Sequence, residues 1–493
     1  MTFYEYLWSI AESCPPYAIN GLLCDASGVP KSDADAASAS DSTLTERQLC
    51  GMIQLDVLGE MENRHVKVFS EFHRKARVIE SVGRMGYEDL LQLAGPKVKE
   101  FVVRRDDEAK PGAGTFPLSE VKDAIALLAG YRMIGDDTEL GVGCWAGKDE
   151  DGSIHPSVVL VGAGEAAEFN GKMVLEKITH PRCKGNLLDF ESGTSSWYDY
   201  DLLKKYLAAC DQDFAKKTRD ELIGLFSRWR WRTETTAPIT MTGLVMATWV
   251  QSIWEWRPQV ALIGASQSGK TMLANALSGI YGSLCCKSSQ SSAAGIRQAI
   301  KNSSRIVLCD EFEHSRQRQE ILDMLRASGR GDAVLRGSAN QKARQFSLRH
   351  IVWVAAIEVN LKHAPDRNRF IVMELLNPLP ENKGKLSPPP ASYLYDLGHR
   401  TLAVAIRYIH TAKPLAASLK DMRVDGVDAR VVESYAVPAA ILAAIDGLSD
   451  EPSRELMRHM LGDVERESAI NLADESAMME ALLAAHLFVD RDR

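Results

Sequence analysis

The chain has 493 residues, too many for one ordinary hydrophobic core, and its 45% hydrophobic and 25% charged content is that of a globular protein of several domains. A net charge of −8 argues against nucleic acid until it is divided: Gln259 to Leu376 carries 16 basic against 9 acidic residues, net +7, which leaves −15 elsewhere, an asymmetry expected either of a segment that tracks nucleic acid or of one whose arginines bind phosphate and bridge subunits. Nine cysteines without a CxxC pair argue against a disulfide framework and a zinc site, and no window holds the roughly eighteen apolar residues of a membrane span.

In chain order, the start has acids at Glu5 and Glu12 and no basic stretch before its apolar residues, so no signal peptide is expected. Adjacent Cys285 and Cys286, with Cys309 inside an apolar run, suit a reducing cytoplasm. Residues 1–43 read as a short helix (Thr2 to Ala11) and a Ser-, Ala- and Asp-rich linker (Asp25 to Ser42). Residues 44–236 read as a mixed α/β domain. It has a helix over Leu118 to Ala129 capped by Ser119, a strand over Ser157 to Val161, and helices over Tyr198 to Leu207 and Phe214 to Trp229. Residues 237–380 open with an apolar helix, Thr240 to Trp254, ended by Arg257-Pro258. Residues 381–493 begin at a Pro-rich hinge, Leu386 to Pro390, and read as helices at Tyr393–His410, Val431–Asp446, Pro452–Leu461 and Ala477–Leu487.

The chemistry is concentrated in the third segment. Gln259 to Ile263 is an apolar run that stops at Gly264, as a buried parallel strand does. Gly264, Ala265, Ser266, Gln267, Ser268, Gly269, Lys270 and Thr271 then match the pattern G-x-x-x-x-G-K-T, followed by an amphipathic helix from Thr271 to Ile280. Glycines let successive backbone N–H groups face one phosphate at the positive end of that helix. Lys270 would reach the β- and γ-phosphates of ATP, and Thr271 would ligate Mg²⁺. Downstream, Arg305 to Glu311 (RIVLCDE) is an apolar strand that delivers two carboxylates. Asp310 would hold Mg²⁺ through water, and Glu311 would polarise the attacking water.

With these residues the chain resembles the AAA+ family, and within it the superfamily-three type of ATPase in phage and plasmid primase-helicases. The resemblance spans about residues 240 to 376. It implies a P-loop NTPase core with a parallel sheet, a β-hairpin over Ala333 to Arg349, and a sensor at the end of His350 to Asn360. It further implies an arginine finger in Asp366-Arg-Asn-Arg369-Phe370. On this resemblance Asn360 or Glu358 would be the sensor, and Arg369, or else Arg367, the finger. Ser291 to Arg297 resembles an element of related mobile-element ATPases, so the exact subfamily is open. The fold class is therefore α/β: an AAA+-like core preceded by a mixed α/β region and followed by helices.

Other signals point elsewhere. Gly162-x-Gly164-x-x-Ala167 imitates a dinucleotide fingerprint, but Asn170-Gly171 interrupts within three residues and marks a hairpin. Arg228-Trp-Arg-Trp-Arg232 could stack on bases; tryptophans two apart also line one face of a packed strand, the favoured reading. His314, His350 and His363 are isolated and read as structural or surface residues. The function expected is a Mg-ATP-dependent, ring-forming helicase or translocase on DNA, a homo-oligomer of hexameric type with a primase or replication partner and no membrane. Arg336, Lys342 and Arg344 would grip backbone phosphates. The alternative is a nucleotide-gated switch or scaffold without translocation.

Overall fold

The computed structural model describes residues 18–19, 22–23, 46–61, 63–104, 115–131, 133–134, 139–148, 154–171, 174–183, 186–189, 196–289, 292–300, 302–312, 318–330, 333–337, 343–357, 368–382 and 386–462. The chain divides into two units. One is built from residues 1–139, 148–153 and 179–187; the other takes 140–147, 154–178 and everything from 188 onward. The expected helices at Thr2 to Ala11 and Ala477 to Leu487, and the linker at Asp25 to Ser42, lie outside the described residues.

In the first unit, bulky and β-branched residues favour a pleated, half-buried surface. Its elements are α1 (Glu46–Met52), β1 (Leu55–Met61), β2 (Val66–Ser70), β3 (Lys75–Ile79), α2 (Tyr87–Ala94), α3 (Leu118–Gly130) and β4 (Met133–Ile134). The sheet order is β3-β2-β1-β4. The β1–β2 and β2–β3 pairs are antiparallel, and β4 joins β1 in parallel. Leu49, Val121 and Ile125 of the helices bury against Leu55, Val57 and Val68 of the sheet. Ser119 is not the cap of α3. Pro117, with φ −62, occupies the N-cap position, and Ser119 falls inside the first turn.

The second unit starts with β5 (Gly143–Lys148), β6 (Ile154–Val161), β7 (Ala166–Phe169) and β8 (Leu175–Ile178), paired in that order. The β6–β7 and β7–β8 pairs are antiparallel, so Gly162-x-Gly164 and Asn170-Gly171 both lie in hairpin turns. Helices α4 (Tyr200–Ala209) and α5 (Gln212–Phe226) follow, with Asp199 and Asp211 accepting backbone N–H bonds as their caps. Helix α6 (Ala237–Trp249) is apolar on all sides and buried on all sides. It ends before Trp254. The Arg257 guanidinium donates to the Gln251 and Trp254 carbonyls and holds the chain after the helix in turns.

Then come β9 (Gln259–Gly264), α7 (Lys270–Tyr281), β10 (Cys285–Ser288), α8 (Ala293–Ile300), β11 (Ile306–Cys309), α9 (Arg318–Ser328), β12 (Ala333–Gly337), β13 (Ala343–Ser347), β14 (Val352–Ala356) and β15 (Phe370–Leu375). β12 and β13 form an antiparallel hairpin. The other five strands make a parallel sheet in the order β10-β11-β14-β9-β15. Runs such as IVLC and VWVAA are apolar at every position because both sheet faces are covered. The helical end of the unit has α10 (Ala391–Leu419), α11 (Ala429–Asp446) and a helix over 450–462. Leu262, Trp353, Leu244, Ile406 and Ile441 belong to one core, so sheet, central helix and helical end fold together. Gly398 of α10 lies so close to α7 that a Cβ there would collide with the Ile280 carbonyl. Among the described residues no helix is long and apolar enough to cross a membrane.

Candidate functional site

The apolar run of β9 ends where the chain must turn sharply. Gly264 has φ +157, and a Cβ on it would sit 2.5 Å from the Leu375 carbonyl oxygen of β15 and 2.8 Å from Ser268 Oγ. Only glycine takes that position without displacing backbone. Ser268 N–H then donates to the Ala265 carbonyl at 3.2 Å and closes the loop. Gln267 has φ +70, and Gly269, with φ +91, leads into α7. Ala265, Ser266 and Gln267 are exposed, whereas Ser268 is buried with its Oγ lacking a partner among the described residues. The first amides of α7, those of Lys270, Thr271 and Met272, precede the Leu273 N–H that donates to the Gly269 carbonyl. Amides of this kind at a helix start are ready donors to an anion. Lys270 Nζ donates to the Gly264 carbonyl at 2.5 Å and the Ala265 carbonyl at 3.1 Å. Replacement of Gly264 by Ala should lower unfolding stability by about 1–3 kcal/mol. A denaturation midpoint equal to that of the unaltered protein would mean that the loop does not press on β15.

The acidic residues lie on the same edge of the sheet. β14 separates β9 from β11, and its register pairs Ala356 with Ile263 on one side and Val354 with Cys309 on the other. The loop after Gly264 and the pair Asp310-Glu311 therefore both leave the carboxyl ends of parallel strands, where open α/β sheets place their ligands. Asp310 N–H donates to the Ser288 carbonyl at 2.8 Å. Its carboxylate pairs at 3.2 Å with Lys287, whose Nζ also donates to Asn275 Oδ1 at 2.6 Å. Glu311 has φ +53 and an exposed side chain. Among the described residues of this unit, the non-glycine positions with positive φ are Gln267 and Glu311. Left-handed backbone at a non-glycine residue costs energy and clusters at working sites. Here both instances fall within the two motifs.

No group of three His, Cys, Asp or Glu side chains converges among the described residues. The available donors are the Thr271 hydroxyl and the Asp310 and Glu311 carboxylates. That oxygen set fits a magnesium ion shared with phosphates, which takes few ligands from protein.

The remaining predicted residues divide clearly. Asn360, Glu358 and Arg367 lie outside the described residues, as do His314 and His363. Arg369 precedes β15, and its carbonyl accepts from Gln259 N–H at 3.0 Å. This places Arg369 at the amino edge of the sheet, opposite the loop after Gly264. Arg336 and Arg344 are cross-strand neighbours in the β12–β13 hairpin, while Lys342 and the turn lie outside the described residues. In Arg228 to Arg232 both tryptophans are buried, and Trp231 bridges antiparallel to Leu375. Arg230 donates to the Asn377 carbonyl, and Arg232 pairs with Glu374. The segment is packing. His350 is also a core residue: burial holds its pKa down at about 4, and its Nε2–H donates to the Ser303 carbonyl at 2.9 Å.

Two neighbours of the site escape sequence reasoning. Lys287 is a lone cation in a short strand. Trp229 Nε1 donates to the Gly269 carbonyl at 3.1 Å, which backs the loop with a ring. Its repeat with Trp231 signalled burial without signalling against what.

No protein-family model matches the sequence, and no curated protein matches it. Among solved structures, the chain is similar to the apo C-terminal region of NrS-1 at 12% identity and TM-score 0.36, over 82% of this chain and 91% of that one. It is also similar to a full-length MCM homolog from Methanopyrus kandleri at 14% identity and TM-score 0.34, over 66% of this chain and 76% of that one. Neither likeness is close enough to establish a shared fold.

Proposed function

We propose that this chain is a Mg-ATP-dependent ATPase that assembles as a homo-oligomeric ring and drives a helicase or translocase on DNA in mobile-element-type replication, in the cytoplasm. The observation that carries the reading is the coincidence at one sheet edge of the G-x-x-x-x-G-K-T loop, the Asp310-Glu311 pair and the unit's described left-handed non-glycine residues, Gln267 and Glu311. The loop from Gly264 to Gly269 and the first amides of α7 bind the phosphates, and Lys270 turns from its loop carbonyls to the β- and γ-oxygens. Thr271 and Asp310 would hold magnesium, which would supply charge neutralisation to the phosphates. Glu311 takes the proton of the attacking water as general base. The net +7 of Gln259 to Leu376 and the β12–β13 hairpin with Arg336 and Arg344 support DNA as the partner.

The deciding experiment is Glu311→Gln assayed with and without single-stranded DNA. The amide keeps the shape of the carboxylate and loses its basicity, so ATP should remain bound while turnover falls by roughly 10²–10⁴-fold. Turnover equal to that of the unaltered protein would move the base elsewhere, with Glu313 the next candidate. Turnover of the unaltered protein that DNA leaves unchanged would favour a nucleotide-gated switch.

A further inference from the structure

The first unit carries a surface that the ATP site does not use. The turn from β2 into β3 runs Glu71-Phe72-His73-Arg74, and Ser70 pairs with Lys75 across it. β3 is an edge strand of its sheet. Its Lys75, Arg77 and Val78 are exposed, and so are Phe72, His73 and Arg74 of the turn. Between Arg64 and Arg84 there are six Lys or Arg and two acids, a local excess of cations in the part of the chain that is otherwise acidic. Arg74, Lys75 and Arg77 make no ion pair or side-chain hydrogen bond among the described residues. The acid of the turn, Glu71, lies 3.6 Å from His180 Nε2. Arg74 has φ +52, a conformation that glycine or asparagine would take with less strain.

Charged residues on an edge strand also serve to block pairing with another sheet. That role alone does not account for the apolar part of the surface. Phe72 is 51% exposed and Val78 48% exposed beside the cations. The Phe72 ring rests against Gly95 and meets His73 edge-on, yet keeps half its surface in solvent, which a surface built only to repel another chain does not require. Cations spaced along a strand at roughly 3.3 Å per residue, with an aromatic at the tip, match a chain that alternates phosphates and flat bases.

We propose that the β2–β3 hairpin is a binding surface for single-stranded nucleic acid, with Arg74, Lys75 and Arg77 on backbone phosphates and Phe72 stacked on a base. It shares with the ATPase reading only the class of partner. The test uses the full chain without ATP and a fluorescent oligothymidylate, with affinity measured across a salt series. The triple change of Arg74, Lys75 and Arg77 to Gln should weaken binding and flatten the log–log salt slope by roughly 2, at about 0.7 per lost contact on single strands. Phe72→Ala should weaken binding roughly fivefold or more and leave the slope alone. All four positions are exposed, and matched melting curves confirm that the variants fold. An unchanged slope overturns the proposal and leaves the cations as edge protection. Loss of binding to anionic lipid vesicles with oligonucleotide binding intact overturns it in favour of a membrane surface. Normal ATP binding by Lys270→Ala would sink the ATPase reading and leave this outcome untouched.

Discussion

Lys270→Ala should leave the protein folded and abolish tight ATP binding, raising Kd by roughly 10²-fold or more. In the structure the ammonium is already drawn to the loop, with the Gly264 and Ala265 carbonyls as acceptors. Those bonds are partly exposed, so their loss costs about 1 kcal/mol of stability. On the proposed reading ATP would supply a stronger partner. Phosphate oxygens concentrate negative charge where the carbonyls offer only dipoles, so the same Nζ would exchange a weak pair of acceptors for a charge-assisted one. Neither Lys287 nor Arg369 is placed to take over. Lys287 is engaged by Asp310, which follows β11, and by Asn275 of α7, and Arg369 is at the far edge of the sheet. The measurement is nucleotide titration by calorimetry or a fluorescent analogue, with a melting curve to confirm folding. Near-normal affinity in a folded variant would refute the assigned loop, however well its backbone suits a phosphate.

The elements around that lysine were legible because they are written in periods and special residues. Gln259 to Ile263 is apolar at nearly every position because β9 is covered on both faces, and Gly264 and Gly269 mark places where a side chain would meet Leu375 or Trp229. The hairpin turn at Asn170-Gly171 was legible for the same reason: turn residues interrupt short apolar runs. Helix ends were less so. Helix α10 continues through Pro414 to Leu419, nine residues beyond His410, since packing on α11 outweighs the local signal to stop. Helix α6 stops five residues before Trp254 because Arg257, a residue outside the helix, claims the carbonyls beyond it. Such contacts carry no local mark. The pairing of Lys287 with Asp310 is of this kind, since it depends on β10 and β11 being neighbours, and strand order is a property of the whole sheet.

Strand direction also decides how Arg369 can act, and the expected result is that it works only between subunits. Arg369→Ala alone should bind ATP and hydrolyse it roughly 10³-fold or more slowly, in the range known for arginine fingers. β15 runs parallel to β9, with Phe370 opposite Gln259 and Leu375 opposite Gly264. Arg369 therefore precedes the sheet by one residue at its amino edge, while the loop after Gly264 leaves the carboxyl edge. The intervening strand is roughly 17 Å long at 3.3 Å per residue, more than an arginine side chain spans. A role in its own subunit's site is closed by geometry, and an effect on hydrolysis must come from a neighbour. The competing role is structural. Arg369 is half-buried, and its carbonyl ties β15 to Gln259. A structural loss would lower the melting temperature and would follow the altered subunit wherever it went. A trans finger behaves otherwise when subunits are mixed. Lys270→Ala subunits, expected to bind ATP only weakly, retain Arg369, so at a shared interface they could complete the site of an Arg369→Ala neighbour. Mixing two nearly inactive variants should then restore part of the turnover. If mixed oligomers form and the mixture stays as inactive as its parents, Arg369 is not the finger, and Arg367 is tested in the same way.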